Sequence, residues 1–256
     1  MIKKAIEVQN ISKKFKNAKY NAVEDVSLTI EDGEFITILG SSGSGKTTLL
    51  KMINRLYEPD HGTIKLFNED IATVDPVILR RRIGYVIQQV GLFPHMTVSE
   101  NVATVPKLLK WNKTEIDERV NGLLTLVGLD PKEFKGRYPS QLSGGQQQRI
   151  GLARALAVTP KVMLMDEPFG AIDAITRLNL QDELLEIHGG LQKTFLLVTH
   201  DVNEAFKLGS RVVIMNNGRV SQFDTPKNIV SNPADEFVTS LVTSARDQGK
   251  FWEGLN

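Results

Sequence analysis

Glu34-Phe35-Ile36-Thr37-Ile38-Leu39, then Gly40-Ser41-Ser42-Gly43-Ser44-Gly45-Lys46-Thr47-Thr48, then Leu49-Leu50-Lys51-Met52-Ile53-Asn54-Arg55-Leu56 is the stretch that decides the fold. The first six residues read as a buried strand. Apolar side chains at 49, 50, 52, 53 and 56 follow the period of an amphipathic helix begun at Thr47. Between the two, residues 40–47 satisfy the phosphate-loop pattern G-x-x-x-x-G-K-[ST], in the strand-before, helix-after setting the pattern needs. The spacing has a physical reason. Gly40, Gly43 and Gly45 permit backbone angles and close approach that a Cβ forbids, so successive N–H groups and the helix N-terminus can surround phosphate oxygens. Lys46 can then reach the β- and γ-phosphates and the Thr47 hydroxyl can ligate Mg²⁺, with Ser41, Ser42, Ser44 and Thr48 completing the cradle. A plain glycine turn is the competing reading; the full motif with both flanks argues against it.

Working outward gives an α/β chain. Upstream, strand-like runs at 6–8 and 26–30 flank a polar basic stretch at 12–21, and Glu31-Asp32-Gly33 makes a turn, so a small antiparallel sheet is expected. Downstream, 62–67 and 83–87 are strand candidates. From about 91 to 158 helical patterns dominate, at 98–109, 114–127 and 146–157, which predicts an inserted helical subdomain. After it, buried strands at 161–165 and 194–198 bracket a helix at 174–187, the β-α-β alternation of a parallel sheet. Runs at 211–215 and 219–222 form a hairpin around Asn216-Asn217-Gly218. The expectation is one domain over 1–256, a P-loop NTPase with a RecA-like parallel-sheet core, an N-terminal antiparallel β-subdomain and the helical insertion. Internal repeats and low-complexity linkers are absent.

Composition narrows the function. Lys and Arg number 31 against 30 Asp and Glu, a net charge of +1, which supplies no bulk field for nucleic acid, whose binding needs several basic contacts to phosphate. The absence of cysteine excludes disulfides, Cys-ligated zinc, iron–sulfur clusters and a thiol nucleophile, and fits a reducing cytoplasm. The longest apolar runs, such as Val162-Met163-Leu164-Met165, span four residues. A membrane helix needs roughly 18. The first ten residues lack the apolar stretch of a signal peptide.

Two further motifs carry chemistry. Lys161-Val162-Met163-Leu164-Met165-Asp166-Glu167-Pro168 is an apolar strand ending in two carboxylates, consistent with a Walker B element. Adjacent strand residues point to opposite faces, so one carboxylate should face a metal and the other an attacking water. Leu142-Ser143-Gly144-Gly145-Gln146 opens a helix and offers a second set of anion-directed N–H groups plus a hydroxyl. A helix N-cap explains Ser143 alone. It leaves unexplained a second phosphate-type nest in one chain.

With these motifs in this order, the chain resembles the nucleotide-binding subunit of an ABC transporter over essentially its whole length. The resemblance implies that Gln88 is the Q-loop glutamine, that Ala171-Ile172-Asp173 is the D-loop and that His200 in Val198-Thr199-His200-Asp201 is the switch histidine. It places Phe15 on adenine, with Tyr20 the alternative. His61, His95 and His188 receive no role. By the same resemblance, Mg²⁺ is held by Thr47, Asp166 and Gln88, while Glu167 polarises the water and Lys46 and His200 hold phosphate. Ser143, Gly144, Gly145, Gln146 and Asp173 meet ATP in a head-to-tail homodimer, Ser143 and Gly145 closing over the nucleotide of the opposite subunit.

The segment Arg80-Arg81-Arg82-Ile83-Gly84-Tyr85-Val86-Ile87-Gln88-Gln89-Val90-Gly91-Leu92-Phe93-Pro94-His95-Met96-Thr97-Val98 is similar to that of the glycine betaine, carnitine and choline importers. An amphipathic helix with a solvated basic turn would suffice for Arg80 to Arg82. The resemblance implies an ATPase at the cytoplasmic face of the inner membrane, peripheral, joined to transmembrane permease subunits and indirectly to a substrate-binding protein, with no direct membrane insertion and no nucleic acid. Many members carry a C-terminal pair of CBS modules; a chain of 256 residues has no room for them, so none is expected. An importer for another small solute, such as an amino acid derivative, is the alternative. A soluble non-transport ABC protein stands behind it, since one P-loop, one signature and no heptad run disfavour the translation and repair types.

Overall fold

Alternation is the rule in the N-terminal strands. Val23, Val26, Leu28 and Ile30 are buried while the polar residues between them face outward, the pattern of a sheet with one face on a core. The strand 35–39 is buried at every position, as a strand covered on both faces must be. The computed structural model describes residues 3–88, 91–170 and 172–253, apart from the side chains of 246–253. Met1, Ile2, Gln89, Val90, Ala171 and residues 254–256 lie outside them.

In chain order the elements are β1 (Lys4–Lys13), β2 (Val23–Glu31), β3 (Phe35–Leu39), α1 (Lys46–Ile53), β4 (His61–Leu66), β5 (Glu69–Asp70), α2 (Pro76–Arg81), β6 (Ile83–Val86), α3 (Val98–Val102), α4 (Thr104–Leu108) and α5 (Lys113–Leu126). There follow α6 (Pro131–Phe134), α7 (Gly144–Leu156), β7 (Val162–Asp166), α8 (Ala174–Leu191), β8 (Thr194–Thr199), α9 (Val202–Leu208), β9 (Arg211–Asn216), β10 (Arg219–Asp224), α10 (Pro226–Ser231) and α11 (Glu236–Glu253). The chain divides into two compact units, Met1–Pro76 with Leu196–Asn256, and Val77–Phe195.

The first unit holds the antiparallel sheet β2-β1-β4-β5 and the strand run β10-β9-β3-β8. Parallel pairing of β3 with β9 sets Leu39 beside Ile214, and β9 turns back antiparallel into β10. Leu39, Val212 and Ile214 pack with Ala205 of α9, Ile229 of α10 and Val238 and Val242 of α11, so the C-terminal helices seal the strand that leads into the phosphate loop. In the second unit β6 and β7 pair in parallel from Ile83↔Val162 to Val86↔Met165. Gly84 permits this closeness: a Cβ there would lie 2.2 Å from Met163 Sδ and 2.8 Å from the Ala155 carbonyl oxygen.

Several boundaries move for physical reasons. The expected helix 98–109 is two helices, α3 and α4, meeting at Ala103. Pro106 cannot donate to the Val102 carbonyl and is tolerated only in the first turn of a helix, so α4 begins anew just before it. Likewise α1 stops at Ile53, because Asn54 caps it and Arg55 takes φ 50°, leaving Leu56 exposed outside the helix. The strand expected at 6–8 runs from Lys4 to Lys13, with register shifts after Val8 and after Ile11. No helix among the described residues is long and apolar enough to cross a membrane.

Candidate active site

In the first unit, β3 delivers the chain into the phosphate loop and α1 carries it away. Lys46 is buried, and its Nζ donates to the carbonyl oxygens of Gly40 and Ser41 at 2.8 and 2.9 Å. The loop is thus folded around its own lysine. Gly45 is the N-cap of α1 with φ 100°, and no side chain caps the helix, whose positive dipole end favours an anion. Gly45 cannot be replaced: a Cβ would lie 2.3 Å from the Ala22 carbonyl oxygen. Ser41, Ser42 and Gly43 are exposed at the rim, whereas Ser44 is buried and Thr47 and Thr48 are half-buried in the first helical turn.

A cavity of about 730 Å³ opens beside Gly43, lined by Lys14, Lys19, Tyr20, Asn21 and Glu24 together with Asn217 and Arg219. Sequence reading missed the contribution of the β9–β10 turn. Its only signal was Asn216-Asn217-Gly218, which reads simply as a hairpin. Of the two candidate adenine partners, Tyr20 is 72% exposed and lines this cavity, with Lys19 Nζ 5.2 Å from its ring centroid. Phe15 is 37% exposed and rests edge-on against Tyr57, centroids 5.2 Å apart. His200 follows β8 and is exposed. The Thr199 hydroxyl before it accepts from the Asp201 N–H, and Asp201 caps α9 through the Glu204 N–H.

In the second unit β7 runs to Asp166, which is buried. The alternation argued from sequence stops there, because Glu167 leaves the strand with φ 46°, an uncommon left-handed value for a side chain of this size. The turn closes with the Gly170 N–H donating to the Glu167 carbonyl at 3.2 Å. Gln88, just past β6, donates from Nε2 to Glu167 Oε2 at 3.1 Å. Parallel pairing of β6 and β7 therefore brings the glutamine and the carboxylate together.

The helix α7 starts at Gly144, two residues earlier than its apolar pattern suggests, because Ser143 is its N-cap. The Gln146 N–H donates to Ser143 Oγ at 3.3 Å and the Ser143 N–H to Gln146 Oε1 at 3.0 Å, a reciprocal capping box. The N-cap reading of Ser143 describes this geometry, a capped helix start whose Gly144 faces outward. Gly145 is buried for a reason the sequence did not show, since a Cβ there would sit 2.6 Å from Thr176 Cγ2 of α8. Asp173 caps α8, accepting from the Thr176 N–H at 3.0 Å. That backbone bond, and a second from the Thr176 side chain, hold its carboxyl below the ordinary aspartate value. Arg149 at the middle of α7 pairs with Glu183 of α8, whose own carboxyl burial pushes upward against the pull of that arginine.

Among the described residues no group of three or more His, Cys, Asp and Glu side chains forms a ready metal cage. Asp166 and Gln88 of the second unit offer a carboxylate and an amide oxygen, and Thr47 of the first unit a hydroxyl, hard oxygen donors of the kind Mg²⁺ takes.

These features define a P-loop ATPase cassette, and residues 23–170 match the family described as ABC transporter. The chain belongs to that family. It is 54% identical over 241 residues to the choline transport ATP-binding protein OpuBA of Bacillus subtilis (strain 168), covering 94% of this chain and 63% of that protein. It is 50% identical over 233 residues to the glycine betaine uptake system ATP-binding protein YehX of Escherichia coli (strain K12), covering 91% and 75%. The fold matches the dimeric post-hydrolysis state of the ATP-binding cassette MJ0796 bound to ADP and Pi, with TM-score 0.76 and 35% identity over 86% of this chain and 98% of that one. The chain spans about six-tenths of the length of its choline and carnitine transport relatives.

Proposed function

We propose that this chain is the ATP-hydrolysing subunit of an importer for a quaternary-amine osmoprotectant of the glycine betaine, carnitine or choline type. The observation that carries the ATPase reading is Lys46 held inside its own glycine loop at the uncapped start of α1. Phosphoryl transfer to water relies on positioning and charge stabilisation, and the chain's residues divide that work. Lys46 and the α1 N–H groups bind the β- and γ-phosphates. Thr47, Asp166 and Gln88 would hold Mg²⁺, which when bound neutralises phosphate charge. Glu167 accepts a proton from the water that attacks, and Gln88 orients that carboxylate through the bond to Oε2. His200 steadies the γ-phosphate.

The signature Ser143, Gly144, Gly145 and Gln146, together with Asp173, serve the nucleotide of a second copy in a head-to-tail homodimer. Hydrolysis then removes the ATP that bridges the two copies, and the motion passes to permease subunits at the cytoplasmic face of the membrane. What supports the solute class is the identity to choline and glycine betaine relatives. The test is uptake by the complex reconstituted with its permease and binding protein. Choline, glycine betaine and carnitine should drive ATP turnover and accumulate, whereas sulfate and amino acids should not; the opposite ranking would overturn the solute assignment.

A further inference from the structure

We infer that Gly218, in the β9–β10 turn, is a positioning residue for the nucleotide, setting the spacing between the phosphate loop and the loop that receives the nucleoside. The inference rests on the reading of the site as an ATP site. Three segments meet at this turn. The Gly218 N–H donates to the Ser44 carbonyl at 3.1 Å, and the Gly218 carbonyl accepts from the Glu24 N–H at 2.8 Å. One residue thus ties the phosphate loop to the start of β2.

Ser44 is itself built into the cradle, its N–H donating to the Ser41 carbonyl at 3.2 Å. Glu24 lies directly beyond the loop that bears Phe15, Tyr20 and Asn21.

The fit leaves no slack. Gly218 has φ 80°, and a Cβ on it would lie 3.1 Å from the Asn21 carbonyl oxygen and 3.2 Å from that of Ala22. The same hairpin meets the phosphate loop at two more glycines. A Cβ on Gly40 would strike the Met215 carbonyl oxygen at 2.3 Å, and one on Gly45 would reach Met215 Cε at 3.3 Å. Asn217 and Arg219, on either side of Gly218 in sequence, line the cavity beside Gly43 together with Tyr20 and Asn21. A ligand that spans the cradle and the loop bearing Phe15 and Tyr20 therefore depends on the Gly218 contacts, whereas one confined to the cradle depends on them far less.

Inorganic tripolyphosphate is such a cradle-only probe. Gly218→Ala should weaken ATP binding about tenfold in titration calorimetry while tripolyphosphate changes by less than about threefold, because a misplacement of well under 1 Å is felt mainly by the spanning ligand. Equal losses for the two ligands, or no loss, would overturn the inference. Should the variant fold poorly, amide hydrogen exchange on the unaltered protein decides: ATP should slow exchange at Gly218 and Glu24, and tripolyphosphate should protect only residues 43–48. Protection of the cradle by ATP with Gly218 and Glu24 unaffected also overturns it. A wild-type protein that binds tripolyphosphate but not ATP would instead refute the ATP reading itself.

Discussion

Gln88 Nε2 donates to Glu167 Oε2 at 3.1 Å, joining the second residue after β6 to the residue after β7 across 79 positions of sequence. Two parallel strands that end side by side make this contact available without a long loop. It gives Glu167 a fixed orientation even though its backbone has left the strand at φ 46°. Glu167→Gln keeps the shape and removes the base, so turnover should fall by about 10²- to 10⁴-fold, the range for a lost general base. An ATP-dependent dimer should persist in light scattering. Unchanged ATPase activity would remove Glu167 from the mechanism. Gln88→Ala should lower kcat by a smaller factor, and the double variant should lose less than the product of the two losses, since the part of the Gln88 effect that runs through the Glu167 carboxylate is already gone in Glu167→Gln.

Gly145 and Thr176 make a second test, one of packing. A Cβ at 145 would come 2.6 Å from Thr176 Cγ2, so α7 and α8 must part or Thr176 must turn. Overpacking of this kind destabilises by about 1–3 kcal/mol. Gly145→Ala should show that loss in urea unfolding. Thr176→Ser deletes the obstructing methyl and keeps the hydroxyl, so it should restore most of the stability in the double variant. A double variant no better than Gly145→Ala would show that the strain lies elsewhere.

What the sequence disclosed and what it withheld follow from the range of the forces involved. The phosphate loop was legible because its chemistry is local: the glycines, Lys46 and Thr47 lie within eight consecutive residues, 40–47, and the flanking strand and helix show their own periods. Buried strands at β3, β7 and β8 were legible from continuous apolar runs. The Thr176 methyl that keeps Gly145 a glycine, and the β9–β10 turn that walls the cavity beside Gly43, depend on residues 31 and more than 170 positions away. No spacing rule reaches that far. Pro106 was a local signal of the α3–α4 break, but the apolar period running through it masked it.

Asp173 yields a prediction in pH. Its carboxyl sits below the ordinary aspartate value because the Thr176 N–H, and then the Thr176 side chain, bond its charged form. A lowered value in the folded state means the stabilisation is complete above the unfolded value, about 3.9, and is lost as pH falls through the lower folded one. Asp173→Ala should therefore lower the thermal midpoint at neutral pH. The gap from the wild type should narrow steadily as the solution is acidified below about pH 4. A gap that stays constant down to acid pH would mean that the charge at the start of α8 contributes nothing.

The adenine partner can be decided by the same physics of preorganisation. Phe15 is held edge-on by Tyr57 and still presents 37% of its surface, so little rotamer freedom remains to be lost when a base stacks on it. Tyr20, at 72% exposure with Lys19 over its ring, must be ordered on binding. Stacking of a base on an aromatic ring is worth about 1–3 kcal/mol by alanine substitution, so Phe15→Ala should weaken ATP and ADP by about tenfold and leave tripolyphosphate untouched. Tyr20→Ala should have the smaller effect, without loss of thermal stability. A larger loss at Tyr20 than at Phe15 would move the base to the cavity wall beside Gly43. Loss of tripolyphosphate affinity in Phe15→Ala would show that the residue shapes the cradle and does not read the base.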